Sequence, residues 1–412
     1  MDGVGVQAIQ EVHEPRNNGA RLRTLRDALL AVDEIGPGIA QRAHNDDVVH
    51  PETFAEIKAA GLPSYIVPSE FGGGGALLAE AAAVIRALAM ADASAALVLT
   101  MHYIHTTRLL TASELSPETV SVARRLAATD GLLNFTASEG HSGAPSRGGR
   151  PVTEVVHAED GSLILNGHKR YVTGSVALDI MLVTATADEV DPESGENLVR
   201  TLIVDTSAPG IRIEPTWDAF GLRGSASNDV IFDDVRLSRE AVVTAYDPNT
   251  SPDRVEDFYS WWSLLLASIH LGIALAARPV ALEFAAGQRN DGRDGRRADQ
   301  PHTREHAVRM EMALLQAQAL LDTAIERYST GHAVGLGPAV KLLVHQHSTD
   351  AVDRAARLIG GVSVWPHSPV SRYYRDLRVA SFNPPNEDVV IDRIADRLLD
   401  PEDAISLLVD QA

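Results

Sequence analysis

The spacing of apolar residues changes twice along this chain, and that change limits the possible folds more than any single motif does. From residue 20 to about 130, apolar residues recur at helical spacing over 22–35, 53–60, 77–91, 95–110 and 117–128. From 131 to 243 the spacing shortens to strand alternation. Segments 152–157 and 162–166 flank Ala158-Glu159-Asp160-Gly161, a hairpin signal, and Asn166-Gly167 reads as a second turn before 169–173. Further strands are expected at 180–185, 200–205, 210–214 and 229–237. After a polar linker at 246–257, helical spacing returns over 261–283, 303–328, 338–358 and 386–399, with an Arg-rich loop at 289–301. The expectation is an α+β chain of several domains. A loose tail (1–20) precedes an N-terminal α-helical domain (21–130). A central antiparallel β-barrel or sandwich (131–243) and a C-terminal four-helix bundle (255–412) follow. The strand–helix alternation and glycine fingerprint of a dinucleotide-binding sheet are absent.

Composition narrows the chemistry. The chain has 412 residues, 56 acidic and 36 basic, with a formal net charge of −20. A negative field disfavours nucleic acid and anionic lipid as partners. With no cysteine, disulfides, thiolate nucleophiles and Cys-ligated zinc or iron–sulfur clusters are excluded. That fits a cytoplasmic location. Residues 1–16 lack a basic-then-apolar leader, and no membrane-spanning run of about 18 apolar residues is expected. The only lysines are Lys58, Lys169 and Lys341. The run Gly72–Gly75 has no strand before it and no Lys-Ser/Thr after it, so it reads as a mobile or tightly turned connection. His302, Glu305 and His306 spell a zinc-like H-x-x-E-H. No further ligand suggests itself, and His345 and His347 point to different helix faces. No metal site is expected.

Several short motifs fall in order on these zones. Gly61-Leu62 is followed by Val67-Pro68-Ser69-Glu70-Phe71-Gly72-Gly73. Phe135-Thr136-Ala137-Ser138-Glu139 stands before Gly143. Then come Leu165-Asn166-Gly167-His168-Lys169-Arg170-Tyr171-Val172-Thr173-Gly174 and Phe220-Gly221-Leu222-Arg223-Gly224-Ser225-Ala226-Ser227. Leu358-Ile359-Gly360-Gly361 and Tyr374-Arg375-Asp376 close the set. In this order the chain resembles the acyl-CoA dehydrogenase superfamily from about Leu22 to Leu399. The resemblance implies a flavin, usually FAD, between the β domain and the C-terminal helices of a homodimer or homotetramer. Phe135, Ala137, Ser138 and Gly143 match positions contacting the isoalloxazine or pyrophosphate. Tyr171 and Thr173 match residues beside the ring and its N5 edge. Arg289 matches a pyrophosphate-binding Arg, usually a partner subunit's, and Gly360 and Gly361 match a loop near the adenine. Asn386, an expected helix N-cap, is also a candidate cofactor contact. Arg357 replaces a frequent Gln, and Asp291-Gly292 replaces the usual Phe-Gly. Reduced FMN or FAD supplied by a separate reductase is therefore an open alternative. The polar loop with Ser142, Ser146, Arg147 and Arg150 is expected to meet a CoA phosphate, cover the flavin or face solvent.

A dehydrogenase of this family removes a substrate proton with a Glu at one of two positions. Here the matching residues are Pro384 and Trp262. Glu387 reads as a first-turn helix residue or a displaced base. The superfamily's oxygenase branch lacks this Glu, and several members carry a triplet like Thr173-Gly174-Ser175. In that branch His102 matches a proton donor or oxyanion stabiliser, with His105 the next candidate and a structural histidine the alternative. Asn383 stands where some oxygenases have His; it can hydrogen-bond substrate but shuttles a proton poorly. The resemblance therefore implies a monooxygenase or oxidase working through a C4a-(hydro)peroxyflavin on a small organic substrate, possibly an acyl-CoA. A flavin reductase or electron-transfer partner goes with it. An acyl-CoA or acyl-carrier-protein dehydrogenase with a displaced base, and a non-catalytic flavin- or acyl-binding homologue, are the alternatives.

Overall fold

A computed structural model describes residues 22–45, 48–111, 115–140, 150–192, 195–243, 252–289, 293–331 and 337–399. The expected tail, Gly143, Ser142, Ser146, Arg147 and Asp291-Gly292 lie outside the described residues.

Six helices come first: α1 (Leu25–Asn45), α2 (Pro51–Ala59), α3 (Leu62–Tyr65), α4 (Leu78–Ala91), α5 (Ala93–Leu110) and α6 (Pro117–Thr129). Side chains set their starts. Asp92 accepts from the Ser94 N–H at 2.9 Å to cap α5, and Ser116 accepts from the Thr119 N–H at 3.1 Å to cap α6. The glycine run is tightly turned. The N–H groups of Gly72, Gly73, Gly74 and Gly75 donate to the carbonyls of Ser69, Pro68, Ser64 and Val67. Those donors are spent within the chain, and a Cβ on Gly73 would lie 2.0 Å from the Val67 carbonyl oxygen.

The middle zone holds β1 (Leu133–Thr136), β2 (Glu154–His157), β3 (Leu163–Val172), β4 (Ile180–Val190), β5 (Asn197–Asp205), β6 (Ile211–Glu214), β7 (Asn228–Leu237) and β8 (Val242–Val243). The expected hairpin is β2–β3, antiparallel, with Gly161 at φ +83° in its turn. The order is β6-β7-β3-β2-β4-β5-β8, with β1 beside β4. This path has two free ends, so the zone is a sandwich and not a closed barrel. It is also not purely antiparallel, because β1 and β2 both pair parallel with β4. The segments joining these strands are long enough to bring them back in the same direction. Asn166-Gly167 is not a turn. It lies inside β3 at a register shift, where a Gly167 Cβ would sit 2.4 Å from Thr153 Oγ1.

The last zone holds α7 (Pro252–Ala286), α8 (Pro301–Ser329), α9 (Gly337–Ile359), α10 (Pro369–Ala380) and α11 (Glu387–Leu398). Helix α7 begins inside the expected linker. Contrary to expectation, its segment Phe258–Ala286 is long and apolar enough to cross a bilayer; 78% of its most apolar window is buried within the fold. It packs against α4, α5, α8, α9 and α10, so it is apolar on all sides. Helix α10 was not expected, because its buried face carries Arg372 and Asp376 among Val370, Tyr373 and Leu377. These charges join zones. Asp376 Oδ1 accepts from the Leu222 N–H at 2.7 Å, and the Arg375 guanidinium donates to the Phe220 carbonyl at 2.8 Å. Arg372 stands 3.7 Å from Asp92. The Phe220-Gly221-Leu222 and Tyr374-Arg375-Asp376 motifs are thus two sides of one joint.

Candidate active site

Some of the candidate residues, Phe135, Thr173 and His105 among them, gather where α5, β1, the end of β3 and α7 meet. Asn134 ties two of the motifs together. Its Nδ2 donates to the Thr173 carbonyl at 2.8 Å, and its Oδ1 accepts from the Phe135 N–H at 2.7 Å. Thr173 Oγ1 shares a 3.0 Å hydrogen bond with Ser227 Oγ, which in turn lies 2.9 Å from Ser225 Oγ. Ser175 Oγ donates to the Ala226 carbonyl at 2.7 Å. The Thr173-Gly174-Ser175 turn is therefore built against residues 225–227 by hydroxyl contacts. Gly174 has φ +77°, and a Cβ there would approach Val98 Cγ1 to 2.8 Å, so only glycine fits. Tyr171 lies at φ +57° with 58% of its surface exposed. Trp217 meets it edge-on at 6.4 Å, and the Arg170 guanidinium is 5.2 Å from its ring. Ser138 is half-buried, and its carbonyl accepts from the Arg170 N–H at 2.9 Å. Ala137 is half-buried beside it.

The two candidate histidines separate here. His102 is fully buried, its Nε2 facing the Pro63 carbonyl at 3.0 Å and its Nδ1 accepting from the Leu133 N–H at 3.0 Å. That pattern assigns the proton to Nε2. Burial is the largest influence on the ring and brings its pKa down to about 4. A neutral ring with both nitrogens bonded to backbone pins α5 to α3 and β1. His105 is buried too, and burial holds its pKa well below the usual range. Its ring lies 5.3 Å from Phe135, 5.8 Å from Trp262 and 6.2 Å from Phe258.

Neither position expected to carry a base does so. Trp262 packs 5.3 Å from Phe258 and stacks on Tyr259 at 6.2 Å. The Arg108 guanidinium covers Phe258 at 4.3 Å, and Arg393 covers Tyr259 at 4.2 Å. Among the described residues, the buried indole Nε1 of Trp262 has no partner. Pro384 and Glu387 are both exposed, Glu387 in the first turn of α11. One acid of the flavin-type motifs, Glu139, is buried, and its carboxylate is already engaged. It takes the Lys169 ammonium at 2.5 Å and the N–H groups of Val152 at 2.6 Å and Thr153 at 3.1 Å. Burial works to raise its pKa, but these donors prevail and hold it at about 2. Burial pulls the Lys169 pKa down, offset in part by Glu139.

The other candidates lie elsewhere. Asn386 is the N-cap residue of α11, yet its side chain makes no cap bond. Among the described residues, its buried Oδ1 and the buried Nδ2 of Asn383 have no partners. Arg289 is half-buried beyond the end of α7, its N–H bonded to the Gly295 carbonyl at 3.1 Å. Trp262 and Ala286 are 24 residues apart on α7, so roughly 36 Å of helix separates Arg289 from the ring cluster. Gly360 and Gly361 follow α9, where a Cβ would meet nothing within 4 Å. The structure therefore brings Phe135, Thr173 and His105 toward one region and leaves Arg289 far from it within one chain. Sequence reasoning missed the Trp262–Phe258–Tyr259 cluster, Ser227 and the Glu139–Lys169 pair. The scarcity of lysine was the available signal for the pair, since a retained Lys in an Arg-dominated chain marks a specific contact.

Comparisons with known proteins agree with this architecture. Profiles of the acyl-CoA dehydrogenase N-terminal, middle and C-terminal domains match residues 23–115, 134–235 and 263–399. The chain is 29% identical to the putative acyl-CoA dehydrogenase YdbM of Bacillus subtilis, covering 90% of this chain and 96% of that one. It is 27% identical to the amino sugar nitrososynthase DnmZ of Streptomyces peucetius, covering 92% and 93%. A nitrososynthase structure from Micromonospora carbonacea var. africana superposes with a TM-score of 0.77 at 23% identity, covering 92% and 98%. With all three domain profiles matched in order on the same three-zone fold, the chain belongs to the acyl-CoA dehydrogenase superfamily.

Proposed function

We propose that this protein is a flavin-dependent monooxygenase or oxidase acting on a small organic substrate. The observation that carries this reading is the Trp262 position: indole, imidazole and phenyl rings meet where a dehydrogenase needs a carboxylate. The residues fit a flavin. Tyr171 and Phe220 leave 58% and 52% of their surfaces open, a hydroxyl stands at Thr173, and among the described residues the buried Trp262 Nε1 donor has no partner. When bound, the flavin supplies the redox chemistry, passing electrons to O2. Phe135 and Tyr171 would wall its ring. Thr173 Oγ1, held by Ser227, would present a hydroxyl to the ring edge. His105 stays neutral in its apolar setting, so it offers a hydrogen bond without adding charge. The Trp262 cluster excludes water, and Asn383 offers an amide to the substrate.

The length of α7 bears on which flavin is held. One chain offers the ring site alone, which suffices for reduced FMN delivered by a reductase. FAD requires Arg289, Gly360 or Gly361 from a second copy. The test compares O2 consumption on reduced FMN or FAD with anaerobic bleaching of the bound flavin by acyl-CoAs. O2 consumption without bleaching supports the oxygenase; bleaching with enoyl product overturns it in favour of a dehydrogenase.

A further inference from the structure

The segment Asn383-Pro384-Pro385-Asn386 has two consecutive residues without an N–H, so its backbone has few donors to fix its own shape. A donor from elsewhere fixes it. Lys341, on α9, is buried, and its ammonium donates to the carbonyl of Asn383 and, at 2.9 Å, to that of Pro385. Gly337, one turn earlier, packs on Ser260 so closely that a Cβ would lie 2.6 Å from its Cα. Lys341 therefore spans from the α7 turn next to Trp262 to the segment bearing Asn383. Among the described residues no carboxylate pairs with it. The titratable groups beside it are His345 on α9 and His270 on α7, whose rings are 4.8 Å apart; Arg378 of α10 acts on His345. A lone buried cation is costly and persists where it holds something in place. The buried amide atoms Asn383 Nδ2 and Asn386 Oδ1, both without partners among the described residues, lie in the segment it holds.

We propose that Lys341 is a positioning residue: its ammonium clamps the 383–385 turn from below and thereby aims the amides of Asn383 and Asn386 into the substrate side of the flavin site. The role of those amides rests on the oxygenase reading above, but the clamp does not. Hydrogen exchange by mass spectrometry on the full-length chain tests the clamp. In Lys341→Met, amides in peptides spanning 381–390 should exchange about tenfold faster or more, as expected when a charge-assisted hydrogen bond is lost. Peptides from α8 and from β4–β5 should keep wild-type protection. Unchanged exchange at 381–390, or equal acceleration everywhere, overturns the clamp. If Lys341→Met does not fold, Lys341→Gln takes its place with the same expectation and the same two overturning results. O2 consumption on reduced FMN then tests the aim. Lys341→Met and Asn383→Ala should both lower it, with only the first altering exchange. A normal rate in Lys341→Met alongside faster local exchange overturns the aiming role. Absence of O2 consumption on both reduced FMN and reduced FAD in the wild type defeats the oxygenase reading and leaves the exchange result standing.

Discussion

His102 and His105 stand three residues apart on α5, and nothing in their sequence surroundings separates them. Both lie in an apolar helix, and only the tertiary partners show that one is bonded to backbone at both nitrogens while the other faces Phe135 and Trp262. His102→Ala leaves the Pro63 carbonyl and the Leu133 N–H buried without partners. It should destabilise by about 2–6 kcal/mol in urea unfolding, given a cost of about 1–3 for each of the two orphaned groups. His105→Phe keeps the ring packing and should stay within about 1.5 kcal/mol of wild type, while slowing flavin oxidation by O2. Glu139 shows the same limit of sequence reading. It sits inside a flavin-type motif, yet its carboxylate serves Lys169. Glu139→Gln leaves that ammonium buried and unpaired, and should cost about 3–5 kcal/mol by the same measurement. The turn at Thr173 was legible, because Thr-Gly-Ser follows a strand, but the Ser227 hydroxyl that its own hydroxyl meets lies far along the chain and was not.

At the scale of elements, periodicity located the long helices and most strands, since each buries one consistent face. It failed at α10, whose buried face mixes Arg372 and Asp376 with Val370 and Leu377. A pattern search sees a polar segment there; the fold sees a joint. Gly221 sits in that joint, and a Cβ on it would lie 2.3 Å from the Arg375 carbonyl oxygen. Gly221→Ala should therefore force the β zone and α10 apart. The expected outcome is weaker flavin binding in a fluorescence titration together with a lower denaturant midpoint. Gly361→Ala, at a site with no atom within 4 Å of the new Cβ, should leave the midpoint unchanged. The parallel pairing of β1 and β2 with β4 was also hidden, because strand alternation carries no information about direction.

Across the whole molecule, buried imidazoles set the response to acid. Burial lowers the pKa of His102, His105, His270 and His345, the first and last to about 4. In the unfolded chain these groups titrate near about 6.5. Between those values the unfolded state binds more protons than the folded one, so stability is full above about pH 6.5 and falls as pH drops below it. Lys341 adds a term of the same sign at higher pH. Burial lowers its pKa to about 7, so stability should also rise as pH climbs from there toward the usual lysine range. Unfolding midpoints measured from pH 5 to 9 should rise throughout, and Lys341→Met should flatten the upper half. The three-zone order was readable from period alone. The distance between Arg289 and the ring cluster was not, because that depends on the reach of α7.

The rarity of lysine has a practical result. Lys169 and Lys341 are buried, and Lys58 is held by Asp179 at 2.7 Å with about a quarter of its side chain exposed. Amine-directed acylation of the native protein should mark Lys58 slowly and leave the other two lysines blank. Modification at Lys169 or Lys341 would then serve as a direct stopwatch for unfolding.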